Sequence, residues 1–553
     1  MKNNRREFFK KVGVGTAGLG LAAVVPFSTQ ANSTSKPAAN GGQFLQIGDD
    51  IAIANTNSGK VRGYVLNNIY TFLGVPYGSD TSGKNRFMPP QKPAPWTEVK
   101  PTIWWGNTAP QIMDNRYASP DYSFADHWNY DDLSEDCLKL NVWTPALDGK
   151  KRPVLVWLHG GGFTNGNAVE QDGYHGENLS KSGDMVFVSI NHRLGPIGFT
   201  DLSGVGGSKY ADSGNVSQLD IIASLEWVRD NVSNFGGDPG NVTIIGQSGG
   251  GAKVTATMAM PAAKGLVHKG VALSGSMLQA SNQEYSRTLG EYVMKEAGLT
   301  SDTVDKLQEL TWREYLDVAN RAMAKMRKDN PLPGFRGGFS PVADGANIPE
   351  GEFFSDPNGL ASDIPLMICT TFHEWNPTRT SPELEKIDWT GVAEKLNANF
   401  GTATDKVIAG YRKDFPEASP ADLWAMILSN RKGAIATANA KSTQKAPVYL
   451  AWFGWEPELY SGRMKAFHCI DICFWFDNTD RMYTHTGGGD RPRKLSEKMS
   501  ASLLSFMRTG DPNAGTLPKW TAYSPANGAT MILKDNPVLK NKPDGNGLAA
   551  LPA

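Results

Sequence analysis

Cysteine is scarce in this chain of 553 residues: only Cys137, Cys369, Cys469 and Cys473 occur. Four such scattered thiols exclude a disulfide scaffold. Cys469-x-x-x-Cys473 beside His468 lacks a second ligand pair at zinc spacing, so no metal is expected there. Charge of one sign is lacking too. The 55 Lys/Arg and 56 Asp/Glu leave a formal net charge of −1, and no long charge block or fixed repeat breaks the balance. Nothing in this pattern points to nucleic acid or to an anionic membrane surface. Histidine is sparse as well, eight residues in all, which narrows the choice of any catalytic base. What is present is an ordinary globular composition, 40% hydrophobic with fifteen Trp. The length suits two or three average domains or one large α/β core.

The N-terminus reads differently from the rest. "MKNNRREFFKK" sets Arg5 and Arg6 ahead of two phenylalanines, and "VGVGTAGLGLAAVV" follows, ending at Val25. That uncharged run falls short of the roughly twenty apolar residues that span a bilayer. With small residues near Ala31 it has the layout of a secretory signal, and the paired arginines resemble a twin-arginine signal. Residues 1–31 are therefore read as a signal and 32–42 as a Ser/Ala-rich linker. Residues 43–553 are read as one large domain with insertions. The expected address is the periplasm or outside the cell. Without residues 1–31 the formal charge would fall to −5, since they hold five Lys/Arg and one Glu.

Through the middle of the chain, short apolar runs alternate with helical patterns. "RPVLVWLHGG" (152–161), "DMVFVSINHR" (184–193), "NVTIIGQS" and "KGVALSGS" (269–276) read as strands, as do "IPLMICTTFHE" (364–374) and "PVYLAWFGW" (447–455). Between them, "LDIIASLEWVRDNVSNFG" (219–236) carries Leu219, Ile222, Leu225, Val228 and Val232 at steps of three and four, one helical face closed by glycine. Buried strands alternating with helices predict an α/β fold with a mostly parallel sheet covered on both faces. Two charged helical stretches, about 277–345 and 380–440, read as insertions that could form a lid.

The chemistry begins at "NVTIIGQSGGGAKV" (241–254). With 59 glycines in the chain, a chance G-x-S-x-G is unremarkable, so its context decides. Ser248 lies between a strand and a helix with glycine two positions to either side, the layout of a nucleophile elbow. The helix that follows would aim its N-terminal amides and positive dipole end at a developing oxyanion. Upstream, His159-Gly160-Gly161-Gly162-Phe163 follows another strand and supplies backbone N–H groups free of side-chain obstruction. A serine nucleophile needs a base and an orienting carboxylate, which in this fold follow in the order Ser, acid, His. Glu374, closing the strand "IPLMICTTFHE", is the candidate acid. His268 comes too soon after the elbow, and His373 adjoins the acid. His468 and His485 both remain as candidate bases.

From about residue 50 to 530 the chain resembles the type-B carboxylesterases, the α/β-hydrolase family that includes bacterial para-nitrobenzyl esterases and cholinesterases. The matching segments run in order: "FLGVPYG", "RFMPPQKPAPW", "SEDCLKLNVWTP", "HGGGF", "NHRLGPIGF", "FGGDPGNVTIIGQSGGG", "LSGS", "PVADG" and "GDPNAGTLPKW". The family's G-T-T-x-D-E-G segment is matched by "CTTFHEW", which implies Glu374 as the acid. "FHCIDICFWF" matches the segment after the family's histidine and selects His468. The resemblance implies oxyanion donors at Gly161, Gly162 and Gly249, with Gln247 and Ser274 packed around the triad. It also implies a structural ion pair between Arg86 and Glu135, and it puts Tyr122, Phe124 and Trp128 on a gorge-side loop, either lining an apolar entrance or packing within the protein. Three departures stand out. Gln247 replaces the usual Glu, Gly249 replaces the usual Ala, and Ala109 stands where the partner of Cys137 would fall. The implied activity is hydrolysis of a small-molecule carboxylic ester by a serine enzyme without cofactor. Amide, thioester or carbamate cleavage would use the same machinery, whereas a silent adhesion member of the neuroligin kind would need a broken triad.

Overall fold

A computed structural model describes residues 44–112, 132–330 and 338–552. The segments read as signal and linker, and the aromatic stretch with Tyr122, Phe124 and Trp128, lie outside the described residues. Among the described residues the central sheet has twelve strands: β1 (Leu45–Gln46), β2 (Tyr64–Leu66), β3 (Ile69–Pro76), β4 (Lys139–Thr144), β5 (Arg152–Leu158), β6 (Val186–Ile190), β7 (Gly237–Gln247), β8 (Lys269–Leu273), β9 (Leu366–Thr371), β10 (Val448–Phe453), β11 (Ala529–Leu533) and β12 (Val538–Asn541). In space they run β1-β2-β3-β4-β6-β5-β7-β8-β9-β10-β11-β12. The seven strands from β6 to β11 are mutually parallel, while β1 to β4 and β12 pair antiparallel at the two edges.

The parallel strands are buried on both sides because successive side chains point to opposite faces. Val154, Val156 and Leu158 of β5 enter one core with Ile221, Leu225 and Val254. Leu155 and Trp157 enter the other, with Leu495, Met499 and Phe506. Each such aliphatic side chain contributes about 1.5–3 kcal/mol on full burial, which is why these runs are unbroken by charge.

The helices that cover the sheet and its flanks include α1 (Val216–Asn231), α2 (Gly249–Ala259), α3 (Gln283–Glu296), α4 (Trp312–Asp329), α5 (Trp389–Phe400), α6 (Thr404–Asp414), α7 (Pro420–Ile427), α8 (Arg431–Lys441) and α9 (Asp490–Thr509). Those in the two charged stretches build satellite cores. One centres on Leu289, Leu316 and Phe339, the other on Val392, Val407 and Leu423. Helix α4 starts at a capping box, Thr311 and Glu314 each satisfying the other's backbone N–H.

Two expectations need correction. Helix α1 does not bury the stripe as read: Leu219 is only half-buried, whereas Asp220 and Ser224 are fully buried beside Ile222, Leu225 and Val228. Asp220 is held there by Arg193, whose Nε and Nη2 reach its two carboxylate oxygens at 2.8 and 2.6 Å. Glu374, for its part, does not close β9. The strand ends at Thr371, His373 then donates its N–H to the Ala466 carbonyl outside the sheet, and Glu374 sits on the turn that follows. The antiparallel N-terminal strands were not foreseen, nor was the small sheet of Ile53–Thr56, Gly59–Arg62 and Lys100–Pro101.

Candidate active site

Ser248 stands between β7 and α2 with φ 57° and ψ −124°. A non-glycine residue in that conformation costs on the order of 1–3 kcal/mol, so the surroundings must hold it. Its N–H donates to the Leu273 carbonyl at 2.7 Å, and its carbonyl accepts from the Ala252 N–H at 3.2 Å. The turn closes only because small residues flank it: a Cβ at Gly246 would lie 2.3 Å from the Gly250 carbonyl oxygen. The serine is partly exposed while its neighbours Gln247 and Gly249 are buried.

Across the sheet edge, Glu374 and His468 form a buried pair. Glu374 Oε1 accepts the Thr371 N–H at 2.8 Å, and Oε2 lies 2.5 Å from His468 Nδ1. The His468 N–H donates to the Glu374 carbonyl at 3.1 Å, so backbone and side chain fix the same partnership. Burial works against charge on the imidazole, but Cys469 and the Glu374 carboxylate outweigh it and hold its pKa well above the ordinary value. Behind them, burial and then the Glu374 charge push the Asp471 carboxyl up to about 7.

Three further side chains touch this pair. Gln247 Nε2 lies 3.4 and 3.1 Å from the two imidazole nitrogens. Near-equal distances to both place the amide against the ring rather than in line with one lone pair. The Cys469 thiol donates to Gln247 Oε1 at 3.3 Å, which orients that amide. Trp375 stacks on the imidazole with ring centroids 4.3 Å apart and planes 29° from parallel. Cys469 was weighed from sequence only as a metal ligand, and Trp375 was not singled out at all. The only signal for Trp375 was its place at the final glycine of the G-T-T-x-D-E-G pattern.

The chain brings Ser248, Glu374 and His468 to one end of the sheet, but among the described residues the Ser248 hydroxyl makes no hydrogen bond. The imidazole Nε2 faces the Gln247 amide instead. Such contacts commonly tighten only when substrate is bound.

The loop after β5 faces the elbow. Gly161 and Gly162 have φ of 80° and 64°, and among the described residues their N–H groups and that of Gly249 donate to no protein acceptor. The loop and α2 meet backbone to backbone: a Cβ on Gly249 would lie 2.0 Å from the Gly162 carbonyl oxygen. Lys253 of α2, fully buried, donates from Nζ to the His159 carbonyl at 3.0 Å, and burial pushes its pKa down to about 7. A cavity of about 450 Å³ opens beside Gly162 and Phe163 and is walled by Leu316, Asn320 and Met323 of α4. Three unobstructed N–H groups, a serine and a histidine–carboxylate pair are suited to acyl transfer, and of these groups Gly162 borders the cavity.

The other singled-out residues fall outside this cluster or behind it. Ser274 is buried at φ 50°, and its hydroxyl has no partner among the described residues. Arg86 and Glu135 make a two-pronged buried ion pair, 2.6 Å at each prong. Cys137 is fully buried and forms no disulfide. His485 packs edge-on against Phe467, and His373 Nδ1 accepts the Ala466 N–H at 3.3 Å. Among the described residues no group of three ligating side chains could hold a metal, and no helix is long and apolar enough to cross a membrane.

Comparison with known proteins agrees with this layout. Residues 50–550 match the model of the carboxylesterase family. The para-nitrobenzyl esterase of Bacillus subtilis (strain 168) is 33% identical over 502 residues, covering 89% of this chain and 96% of its own. The phenmedipham hydrolase of Pseudarthrobacter oxydans is 30% identical over 492 residues, 87% of this chain and 95% of its own. Among solved structures, an esterase from Clostridium hathewayi that can hydrolyse aliphatic aromatic polyesters superposes with a TM-score of 0.77 at 31% identity. That match covers 91% of this chain and 98% of the other. By sequence, by fold and by the matched segments, the chain belongs to the carboxylesterase family, enzymes of the α/β-hydrolase fold that cleave carboxylic esters.

Proposed function

We propose that the chain is an exported serine carboxylesterase that works through an acyl-enzyme. The observation that carries the reading is the Glu374–His468 pair, 2.5 Å apart and buried, beside a serine on a strained turn. Ser248 Oγ attacks the ester carbonyl while His468 Nε2 takes its proton. The Gly161, Gly162 and Gly249 N–H groups hold the tetrahedral oxyanion. His468 then gives the proton to the departing alcohol, and Glu374 balances the imidazolium throughout. Water, deprotonated by the same imidazole, attacks the acyl-enzyme and releases the acid and Ser248. Gln247 and Ser274 pack around this machinery without exchanging protons. The chemistry calls for no cofactor.

The test is Ser248→Ala. It should lose turnover by about a millionfold, as removal of a triad nucleophile does, and should also lose labelling by a fluorophosphonate probe. A variant keeping a tenth of the ester hydrolysis would sink the assignment. Export rests on the paired Arg5 and Arg6 ahead of the apolar run. Changing both to Lys should leave the enzyme in the cytoplasm, and fractionation that finds it outside would refute that part alone.

A further inference from the structure

Trp375 is one of few large apolar side chains left in water, 54% exposed, yet it lies directly on the imidazole of His468. An indole that only filled space would be expected to turn inward, where apolar area is removed from water. This one follows Glu374 in the chain, so the turn that delivers the carboxylate to Nδ1 also delivers the indole to the ring face. His468 is thus held at three places: at Nδ1 by Glu374, on one face by Trp375, and against the ring by the Gln247 amide.

An aromatic face attracts a cation through its quadrupole. The imidazole is neutral when it accepts the Ser248 proton and cationic just afterwards, so a stacked indole favours the second state over the first. We propose that Trp375 is a positioning residue for His468, fixing the plane of the ring and stabilising its protonated form through the stacked indole. The inference rests on His468 being the general base. The titratable groups facing the imidazole are Glu374 and Cys469, with Asp471 behind them, and Gln247 is uncharged. Replacing Trp375 alters none of them.

The experiment compares Trp375→Leu, which keeps apolar cover but has no aromatic face, with Trp375→Phe, which keeps a smaller one. The acid limb of kcat/KM for p-nitrophenyl acetate reports the base in the free enzyme. It should move down by about half a pH unit in the Leu variant, the shift expected from a partly exposed cation–aromatic contact. The Phe variant should fall between Leu and wild type, and kcat on the plateau should drop several-fold in Leu. Should the Leu variant not fold, Trp375→Gln, equally without an aromatic face, takes its place. A limb within 0.2 of wild type, or a change in KM alone, would show that Trp375 is only a wall of the substrate entrance and overturn the inference. His468→Ala is run alongside. If it keeps its activity, the triad reading itself has failed; if it is inactive and the limb still does not move, only the role of Trp375 has failed.

Discussion

The residue after the nucleophile offers a sharp test, because this chain departs there from its family. Alanine is usual at that position and Gly249 occupies it. A Cβ on Gly249 would meet the Gly162 carbonyl oxygen at 2.0 Å, and the Gly162 carbonyl carbon and Cα at 2.4 Å. Non-bonded heavy atoms rest about 3.5 Å apart, so the loop would have to retreat by roughly 1.5 Å. All three contacts are backbone, so no side chain can swing away to make room. Overpacking of this kind costs about 1–3 kcal/mol, small against the stability of a chain this long. The loss should appear mainly in the chemistry. Gly161 and Gly162 would be carried off the oxyanion, and losing one such donor lowers kcat by about 10²–10³-fold. Gly249→Ala should therefore show a kcat reduced at least a hundredfold, a KM within a few-fold of wild type, and a melting temperature lower by a few degrees at most. Steady-state hydrolysis of p-nitrophenyl acetate and a thermal melt suffice. An alanine variant within threefold of wild-type kcat would refute the claim that loop and helix are in backbone contact here.

Three other expectations follow from the same region. His468→Ala should be as inactive as Ser248→Ala, whereas His485→Ala should retain activity; the reverse pattern would show that the base was chosen wrongly. Gln247→Glu should put a carboxylate against the imidazole and raise the ratio of kcat/KM for a trimethylammonium ester over that for a neutral ester of similar size. A ratio unchanged within twofold would show that charge at this position does not set selectivity. Lys253 has its folded pKa lowered to about 7, so between that value and the ordinary lysine pKa the unfolded chain binds the extra proton. Stability therefore rises with pH across that window, and Lys253→Met should flatten the rise, with a gain of a few kcal/mol near neutral pH as the upper bound. Denaturant melts at pH 7 and pH 9 that show the same difference in wild type and variant would contradict this.

How far the sequence foretold these features depends on whether local pattern or distant contact decides them. The parallel strands were legible because burial on both faces forbids charge, leaving runs such as Val154–Leu158 that only a covered strand accommodates. Ser248 was legible because strand, glycines and helix are neighbours in the chain. Strands β1 and β2 at the N-terminal edge are short and partly exposed, so neither periodicity nor composition marks them, whereas β3 and β4 are longer and mostly buried and do carry that signal. Helix α1 buries Asp220 beside its apolar stripe because Arg193, 27 residues away in the chain, neutralises it, a contact that no local pattern marks.

The base shows the same limit more sharply. His468 and His485 are both buried, and nothing in their own neighbourhoods separates them. What separates them is Glu374, 94 residues earlier in the chain, and sequence alone reached that pairing only through the family resemblance. The resemblance in turn was silent where this chain differs from its relatives. It supplied a glycine pattern at Trp375 and a glutamate at Gln247, so it had nothing to say about an indole on the imidazole or a thiol steering an amide. Two of these departures, Gln247 and Trp375, touch the imidazole, and the Cys469 thiol orients the Gln247 amide. Where the family pattern has glycine and a charge, this chain sets an aromatic face and a hydrogen-bonded amide beside the histidine. A single reversion such as Gln247→Glu therefore meets a Cys469 thiol that already donates to the glutamine oxygen.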